Sequence, residues 1–394
     1  MADRRLRKVA THANAPAHPM TLSAPSTPAR YIMIGGFLGA GKTTAIGHLA
    51  RHLTAQGHKV GLITNDQAGG LVDTRLLRAQ GFATEEIAGG CFCCRFNSLV
   101  QAAGRLTETE KPDVFIAEPV GSCTDLVATV TYPLRRLYGE NFTIAPLSVL
   151  VDPVRARRVF GLDKGGSFSS KVLYIFDKQL EEADIIVISK CDLLSGTEEQ
   201  ELRDALSSRF PNAQVLAIST RSGAGMDDWF SAIQSREQSA RSAMSVDYDV
   251  YADGEALLGW LNATVGVQVE DEVDAGDLLR LLAGEVQSRL RAQEAEIAHF
   301  KMTFSPDDSL SGELASINVV RTDALPELGM ELDEPTTGGQ LIVNLRAEAA
   351  PELLATAVRE SLEQVSRTLA GLKTSIEHIE HFRPGRPTPT HRDS

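Results

Sequence analysis

Between Arg30 and Phe230, short apolar runs alternate with stretches whose apolar residues recur at helical spacing. The runs are Tyr31–Gly35, Val60–Thr64, Val114–Glu118, Ile144–Val151, Ile185–Ser189 and Val215–Ser219. Apolar strands separated by helical segments predict a mostly parallel sheet covered by helices. Thr43–Ala55 has helical composition and stops before Gly57. Ser235–Ser245 is polar apart from Met244 and predicts a linker. Beyond it the rhythm changes. Two long helical patterns, Gly276–Ala298 and Pro351–Leu369, stand among strand-like stretches at Trp260–Val269, His299–Phe304, Ala315–Arg321, Gln340–Leu345 and Ser375–Phe382. Few helices among many strands predict an α+β domain with helices on one face of an antiparallel sheet. The expected organisation is a tail at 1–30, an α/β domain at 31–235, a smaller α+β domain at 246–383 and a frayed end at 384–394.

Composition narrows the function classes. Hydrophobic residues make up 43% of the 394 positions and charged residues 23%, enough to bury sizeable cores. The formal charge of −13 argues against a general nucleic-acid or anionic-membrane binder. No apolar run is long enough to span a bilayer. Arg4, Arg5, Arg7, Lys8 and Arg30 against Asp3 make the first 30 residues locally basic. Thr11–Ala29 is rich in Ala, Pro, Ser, Thr and His and lacks the apolar run of a secretory signal, so this end is expected to be disordered.

Gly36-Phe-Leu-Gly-Ala-Gly41-Lys42-Thr43 fits G-x-x-x-x-G-K-[ST] between an expected strand and an expected helix, the context that motif requires. Gly36, Gly39 and Gly41 let successive N–H groups turn toward phosphate oxygens, and the helix N-terminus adds partial positive charge. Lys42 is expected on the β/γ-phosphates and the Thr43 hydroxyl on Mg²⁺. Ala40 and Thr44 complete the expected nucleotide-binding run. Ser189-Lys190-Cys191-Asp192 ends an apolar strand. A carboxylate at Asp192 can accept from guanine N1–H and the N2 amine, a donor pair adenine lacks. The Lys190 stem can lie along the base. Ser219-Thr-Arg-Ser-Gly-Ala-Gly after the next strand is either a base-capping loop or an ordinary turn.

Five cysteines are too few and too clustered for a disulfide framework: Cys91, Cys93 and Cys94 fall within four residues, leaving Cys123 and Cys191. This pattern points to a reduced, intracellular protein. Three soft ligands in C-x-C-C spacing select Zn²⁺ or similar ions over Mg²⁺, and Gly89 and Gly90 allow the sulfurs to converge. Three thiolates leave a tetrahedral ion one ligand short. Water, Asp66, Glu86 and Cys123 are the candidates for the fourth position. Asp66 with Asp73, and Glu118 with Gly121, follow the second and third strands, where carboxylates can reach Mg²⁺ or orient water.

Together these residues resemble the CobW-type GTPases, relatives of the urease and hydrogenase nickel-insertion GTPases. The resemblance runs over residues 30–235 and rests on Gly35–Thr44, Asn65–Asp73, Glu86 with the GGCFCC run ending at Cys94, Glu118–Gly121 and Ser189–Asp192. It implies a SIMIBI-class P-loop domain that hydrolyses GTP with Mg²⁺, with Lys42, Asp66 and Glu118 in the catalytic machinery. It implies transition-metal binding (Zn²⁺ or Co²⁺) at Cys91, Cys93 and Cys94. It further implies a cytoplasmic metallochaperone serving an unidentified metalloprotein client, and it is compatible with a homodimer closed over the nucleotide. The alternatives are a GTPase chaperone for a corrinoid or methyltransferase enzyme, and a non-catalytic metal sensor.

The chain departs from the family pattern at several points. Asp66 replaces the usual Glu, Pro119-Val120 replaces Thr-Ser/Thr, and Ser189 replaces the Asn of N-K-x-D. The basic strand motif is echoed only by His299-Phe-Lys301. His378 and His381 form no histidine-rich run.

Overall fold

A computed structural model describes residues 27–65, 72–307 and 313–393. The first part runs β1 (Ala29–Gly36), α1 (Lys42–Ala55), β2 (Val60–Asn65), α2 (Val72–Ala79), β3 (Ala83–Ile87), α3 (Phe96–Thr109) and β4 (Val114–Glu118). It continues with α4 (Tyr132–Tyr138), β5 (Phe142–Ile144), β6 (Ser148–Val151), α5 (Pro153–Val159), α6 (Ser170–Glu181), β7 (Ile185–Ile188), α7 (Gly196–Arg209), β8 (Gln214–Ala217) and α8 (Met226–Ser235). The strands form one parallel sheet in the order β3-β2-β4-β1-β6-β7-β8, with β5 also on β1.

Both faces of this sheet are buried, which is why its strands read as continuous apolar runs. Along β1, Tyr31 and Met33 enter one core while Ile32 and Ile34 enter the other. Ile186 and Ile188 of β7 likewise oppose Ile185 and Val187. The expected single strand Ile144–Val151 is two strands: β5 pairs with the start of β1 and β6 with its end. Pro146 lies between them, and a proline cannot donate to the ladder. β3 is too polar, as Ala-Thr-Glu-Glu-Ile, to have been expected.

The second part contains α9 (Tyr248–Leu257), β9 (Leu258–Val273), α10 (Ala275–Ala292), β10 (Glu296–Pro306), β11 (Ala315–Val319), β12 (Glu327–Met330), β13 (Thr336–Glu348), α11 (Pro351–Thr368) and β14 (Lys373–Phe382). Six antiparallel strands are ordered β12-β11-β10-β13-β9-β14. α10 ends well before the expected Ala298. Glu294 takes a left-handed φ of 54° and turns the chain into β10 with no glycine to announce the stop.

Period-two alternation gives this sheet two unlike faces. Leu261, Ala263, Phe300, Met302, Ile317 and Leu345 join the apolar core that includes α10 and α11. The intervening Trp260, Asn262, Lys301, Asn318, Asn344 and Arg346 form the other face. Register aligns Trp260 with Arg346, Asn262 with Asn344, and Lys301 with both Asn344 and Asn318. The Arg346 guanidinium lies over the Trp260 ring, 3.9 Å from its centre. This face is turned toward the first part, and Trp260 belongs to the first part's core. Arg155 of α5 fastens the two, donating to the carbonyls of Ile297 and Val320 while stacking on Phe37 and Phe168. Val72, at the start of α2, donates its N–H to Asn344 Oδ1 at 3.3 Å.

Phe300 lies on the apolar face between His299 and Lys301 and is buried. Phe300→Ala is expected to cost about 3–5 kcal/mol, read as a drop in the denaturant midpoint. A cost under about 1 kcal/mol would contradict the assigned face.

Candidate nucleotide and metal site

β1 ends at Gly36, whose φ of 130° and nearness to Leu150 exclude a side chain: a Cβ would stand 2.3 Å from the Leu150 carbonyl oxygen. The loop from Gly36 to Gly41 then feeds the N-terminus of α1, where the first-turn amides and the helix dipole favour an anion. Lys42 is buried and donates from Nζ to the carbonyls of Gly36 (2.9 Å) and Phe37 (3.4 Å). Thr43 Oγ1 donates to Glu118 Oε1 at 3.1 Å, joining α1 to the end of β4. A hydroxyl and a carboxylate this close form a hard-oxygen donor set that fits Mg²⁺. Gly121 closes the same corner, since a Cβ there would lie 2.8 Å from the Leu38 side chain and 3.0 Å from its amide nitrogen.

A cavity of 70 Å³ over this loop is lined by Gly39, Gly41, Lys42, Thr43, Thr44 and Glu118, and by the polar face of the second sheet, including Lys301 and Arg346. Ala40 is buried beneath it. A neighbouring cavity of 300 Å³ is lined by Lys190 and Asp192, by Thr220 and Arg221 of the loop after β8, and by Lys301 and Asn318. Thus the loop after β8 does reach the space beside the phosphate loop. Asp192 lies 3.7 Å from Arg221. Ser189, in the place of the usual Asn, is buried and donates to the Val151 carbonyl at 2.9 Å. Lys190 has a left-handed φ of 48° and pairs with Asp152 at 3.1 Å. Burial opposes ionisation of Asp152, but Lys190, Arg321 and Arg155 outweigh it and hold the carboxyl below its ordinary range. Neither Asp152 nor Arg321 was expected in the site. Both lie outside the motifs, and their pairing across the two parts exists only after folding.

The cysteines lie between β3 and α3. Gly89 and Gly90 have φ of 78° and 141°, and a turn follows in which Cys94 N–H and Arg95 N–H both donate to the Cys91 carbonyl. The Sγ atoms of Cys91, Cys93 and Cys94 are separated by 2.7, 3.3 and 3.6 Å. Among the described residues they are the group of potential ligands whose donor atoms converge closely enough to hold an ion. Cys123 is fully buried, and burial, with the Cys91 thiol after it, pushes its thiol well above the usual range. The neighbouring thiols of Cys123, Cys93 and Cys94 pull Cys91 well below the usual thiol range, favouring a thiolate there. Asn65, at the end of β2, lines the phosphate cavity and donates to the carbonyls of Ile87 (2.9 Å) and Gly90 (2.7 Å). One side chain therefore touches both sites. Asp66 lies outside the described residues, as does most of the expected 1–30 tail. Glu86 is carried on β3.

Of the expected frayed end at 384–394, the described residues 384–393 form a strap across the cysteine turn. Thr388 N–H donates to Cys94 Sγ at 3.2 Å, and Thr390 N–H donates to the Cys93 carbonyl at 2.8 Å. Arg392 pairs with Asp125 at 2.7 Å, and the His391 ring packs edge-on against Phe96. Prolines leave backbone groups unpaired in a helix or sheet, but here side chains and single amides do the anchoring.

Residues 30–217 match the CobW/HypB/UreG nucleotide-binding domain family. This segment of the chain belongs to that family. The zinc chaperone CobW of Sinorhizobium sp is 32% identical over 201 residues, covering 45% of this chain and 55% of the relative. The zinc chaperone YeiR of Escherichia coli (strain K12) is 33% identical over 175 residues, covering 43% and 49%. The chain thus spans about half the length of the curated relatives it matches. The crystal structure of HypB from Helicobacter pylori in complex with nickel aligns at a TM-score of 0.39 and 19% identity, over 54% of this chain and 91% of that one.

Glu182, fully buried and accepting from Thr124 Oγ1 and the Val127 amide, is pushed up to about 8 chiefly by burial. The folded state therefore holds this proton where the unfolded chain has lost it, so this group's contribution to stability falls as pH rises from about 4.5 to 8. Glu182→Gln is expected to flatten that part of the stability–pH curve in denaturant melts. An unchanged slope would contradict the assignment.

Proposed function

We propose that this protein binds and hydrolyses GTP and couples its nucleotide state to the binding and delivery of a transition metal, Zn²⁺ or Co²⁺, to a client metalloprotein. The family of residues 30–217 supports the nucleotide half of this reading. The zinc chaperones among its relatives, with the converging sulfurs of Cys91, Cys93 and Cys94, support the metal half. The observation that carries the coupling is Asn65, which lines the phosphate cavity and holds the Gly90 carbonyl beside the cysteines. Among the described residues no helix is long and apolar enough to cross a membrane. A cytoplasmic setting, suited to reduced thiols, is part of the proposal.

In this reading the amides of Gly39–Thr44 cradle the phosphates, and Lys42 leaves its loop carbonyls to meet the β/γ oxygens. Thr43 and Glu118 would hold Mg²⁺, which neutralises charge on the transferring phosphoryl group. Glu118 also orients the attacking water, with Asp66 as the second carboxylate at this edge. Gly121 places its amide near the γ-phosphate, where loss of that group releases the loop. Asp192 reads guanine N1–H and N2, Lys190 stacks its stem on the base, and the metal rests on Cys91, Cys93 and Cys94.

Turnover of GTP and ATP measured across a Zn²⁺ titration tests the reading. GTP hydrolysis is expected to rise with Zn²⁺ in the wild type and to lose that response in a Cys91→Ser/Cys93→Ser/Cys94→Ser variant. Equal rates in the two proteins at every Zn²⁺ concentration would sink the coupling. Asp192→Asn removes two charge-assisted hydrogen bonds worth roughly 3–6 kcal/mol, so its preference for GTP over xanthosine triphosphate should fall about 10²–10⁴-fold. An unchanged preference would remove Asp192 from the base site.

A further inference from the structure

We propose that the strap at 384–393 is part of the metal site: the Thr388 amide is an outer-shell donor to the Cys94 sulfur, and the strap is the gate through which the ion enters and leaves. This rests on the metal reading above and adds to it a segment from the second part of the chain. Cys91 and Cys93 are buried, whereas Cys94 is partly exposed, so Cys94 is the sulfur of the cluster that solvent reaches. The strap lies on that sulfur, with Thr388 N–H on Cys94 Sγ at 3.2 Å. Thr390 adds its N–H to the Cys93 carbonyl at 2.8 Å and its hydroxyl to the Cys94 carbonyl at 3.1 Å. An ion approaching the three sulfurs from the Cys94 side therefore has to pass the strap.

The sequence of the strap suits this contact. In Pro387-Thr388-Pro389-Thr390 only the two threonines carry N–H groups, and both donate to the cysteine turn. The prolines restrict the backbone beforehand, so docking costs little chain entropy. Ion pairs anchor the strap on either side of the turn. Arg386 pairs with Asp249 at 2.5 Å ahead of it, and beyond it Arg392 pairs with buried Asp125 at 2.7 Å and Asp393 with Arg136 at 2.7 Å. Asp393 N–H also donates to the Ala128 carbonyl at 2.8 Å. Between these anchors single hydrogen bonds hold the strap on the turn, so it can lift without unfolding either sheet.

An amide that donates to sulfur favours the thiolate over the thiol, and its hydrogen bond to a metal-bound thiolate is charge-assisted. Loading the ion therefore tightens the strap, and by linkage the docked strap tightens the ion. The root of the strap lies at the other centre. It leaves the second sheet at Phe382, whose ring stacks on that of Trp260 with centres 6.0 Å apart, and Trp260 lines the phosphate cavity. A shift of the second sheet with nucleotide state would thus pull on the gate. The only bonds made or broken are metal–sulfur bonds and S–H bonds, whose protons pass to solvent.

Stopped-flow transfer of Zn²⁺ from the full chain, loaded with one equivalent, to excess chelator is the direct test. Thr388→Pro removes the amide donor from a backbone that is already proline-rich, and Arg392→Ala keeps the amide while freeing the far anchor. Each variant, with GTP binding retained as the sign that it is folded, is expected to release Zn²⁺ about 10–100-fold faster than the wild type. Equal release rates in the wild type and in either variant would overturn the strap as part of the site and leave the metal reading standing. No uptake of Zn²⁺ by the wild type would overturn both. The second measurement needs no variant: hydrogen exchange of residues 386–393 in the full chain with and without Zn²⁺. Protection of the Thr388 and Thr390 amides is expected to rise about 5–150-fold on loading. Unchanged protection would overturn the proposal.

Discussion

Within six residues, the segment Glu118–Cys123 runs from the phosphate loop to a buried cysteine. Its first residue accepts from the Thr43 hydroxyl on the phosphate loop, and its last is a buried thiol pushed up by burial and by Cys91. Gly121 between them packs too closely on Leu38 to carry a side chain. Movement at the nucleotide therefore has a covalent path of a few residues to Cys123, with Gln179 as its anchor. Asn65 supplies a second, parallel connection from β2. Coupling between sites is most readily carried by such short rigid links with two arrangements.

The second sheet gives these links a roof. Its alternating strands bury one apolar face beneath α10 and α11 and leave a polar face, tied together by Trp260, Arg346, Asn262 and Asn344. Polar side chains can face an interdomain cavity because that space suits phosphate and water, whereas an apolar face there would have to be filled. Lys301 borders both cavities, so the second part helps to shape the nucleotide space from above. Arg155, buried between the parts, keeps them in register through carbonyls and aromatic rings.

Much of this was readable from residue order alone. The phosphate loop, the Asp192 loop and the cysteine turn depend on spacing within a handful of residues, and spacing of that kind survives folding unchanged. The parallel sheet was legible because both of its faces are buried, which writes continuous apolar runs into the chain. The polar strand β3 and the glycine-free end of α10 left no such trace. Nor did the contacts that join distant segments: Asp152 with Lys190 and Arg321, and the strap from Thr388 to Arg392. Each joins segments tens to hundreds of residues apart, and no local pattern encodes the meeting. The strap misled most, because proline-rich sequence predicts the absence of regular structure and says nothing about docking.

The central claim is that nucleotide and metal share one free-energy balance. Zn²⁺ affinity, measured by chelator competition with the protein saturated in GDP and again in a non-hydrolysable GTP analogue, tests it directly. The account predicts affinities differing by at least about fivefold, with the same factor recovered when nucleotide affinity is measured with and without Zn²⁺. Equal Zn²⁺ affinities in the two nucleotide states would contradict it.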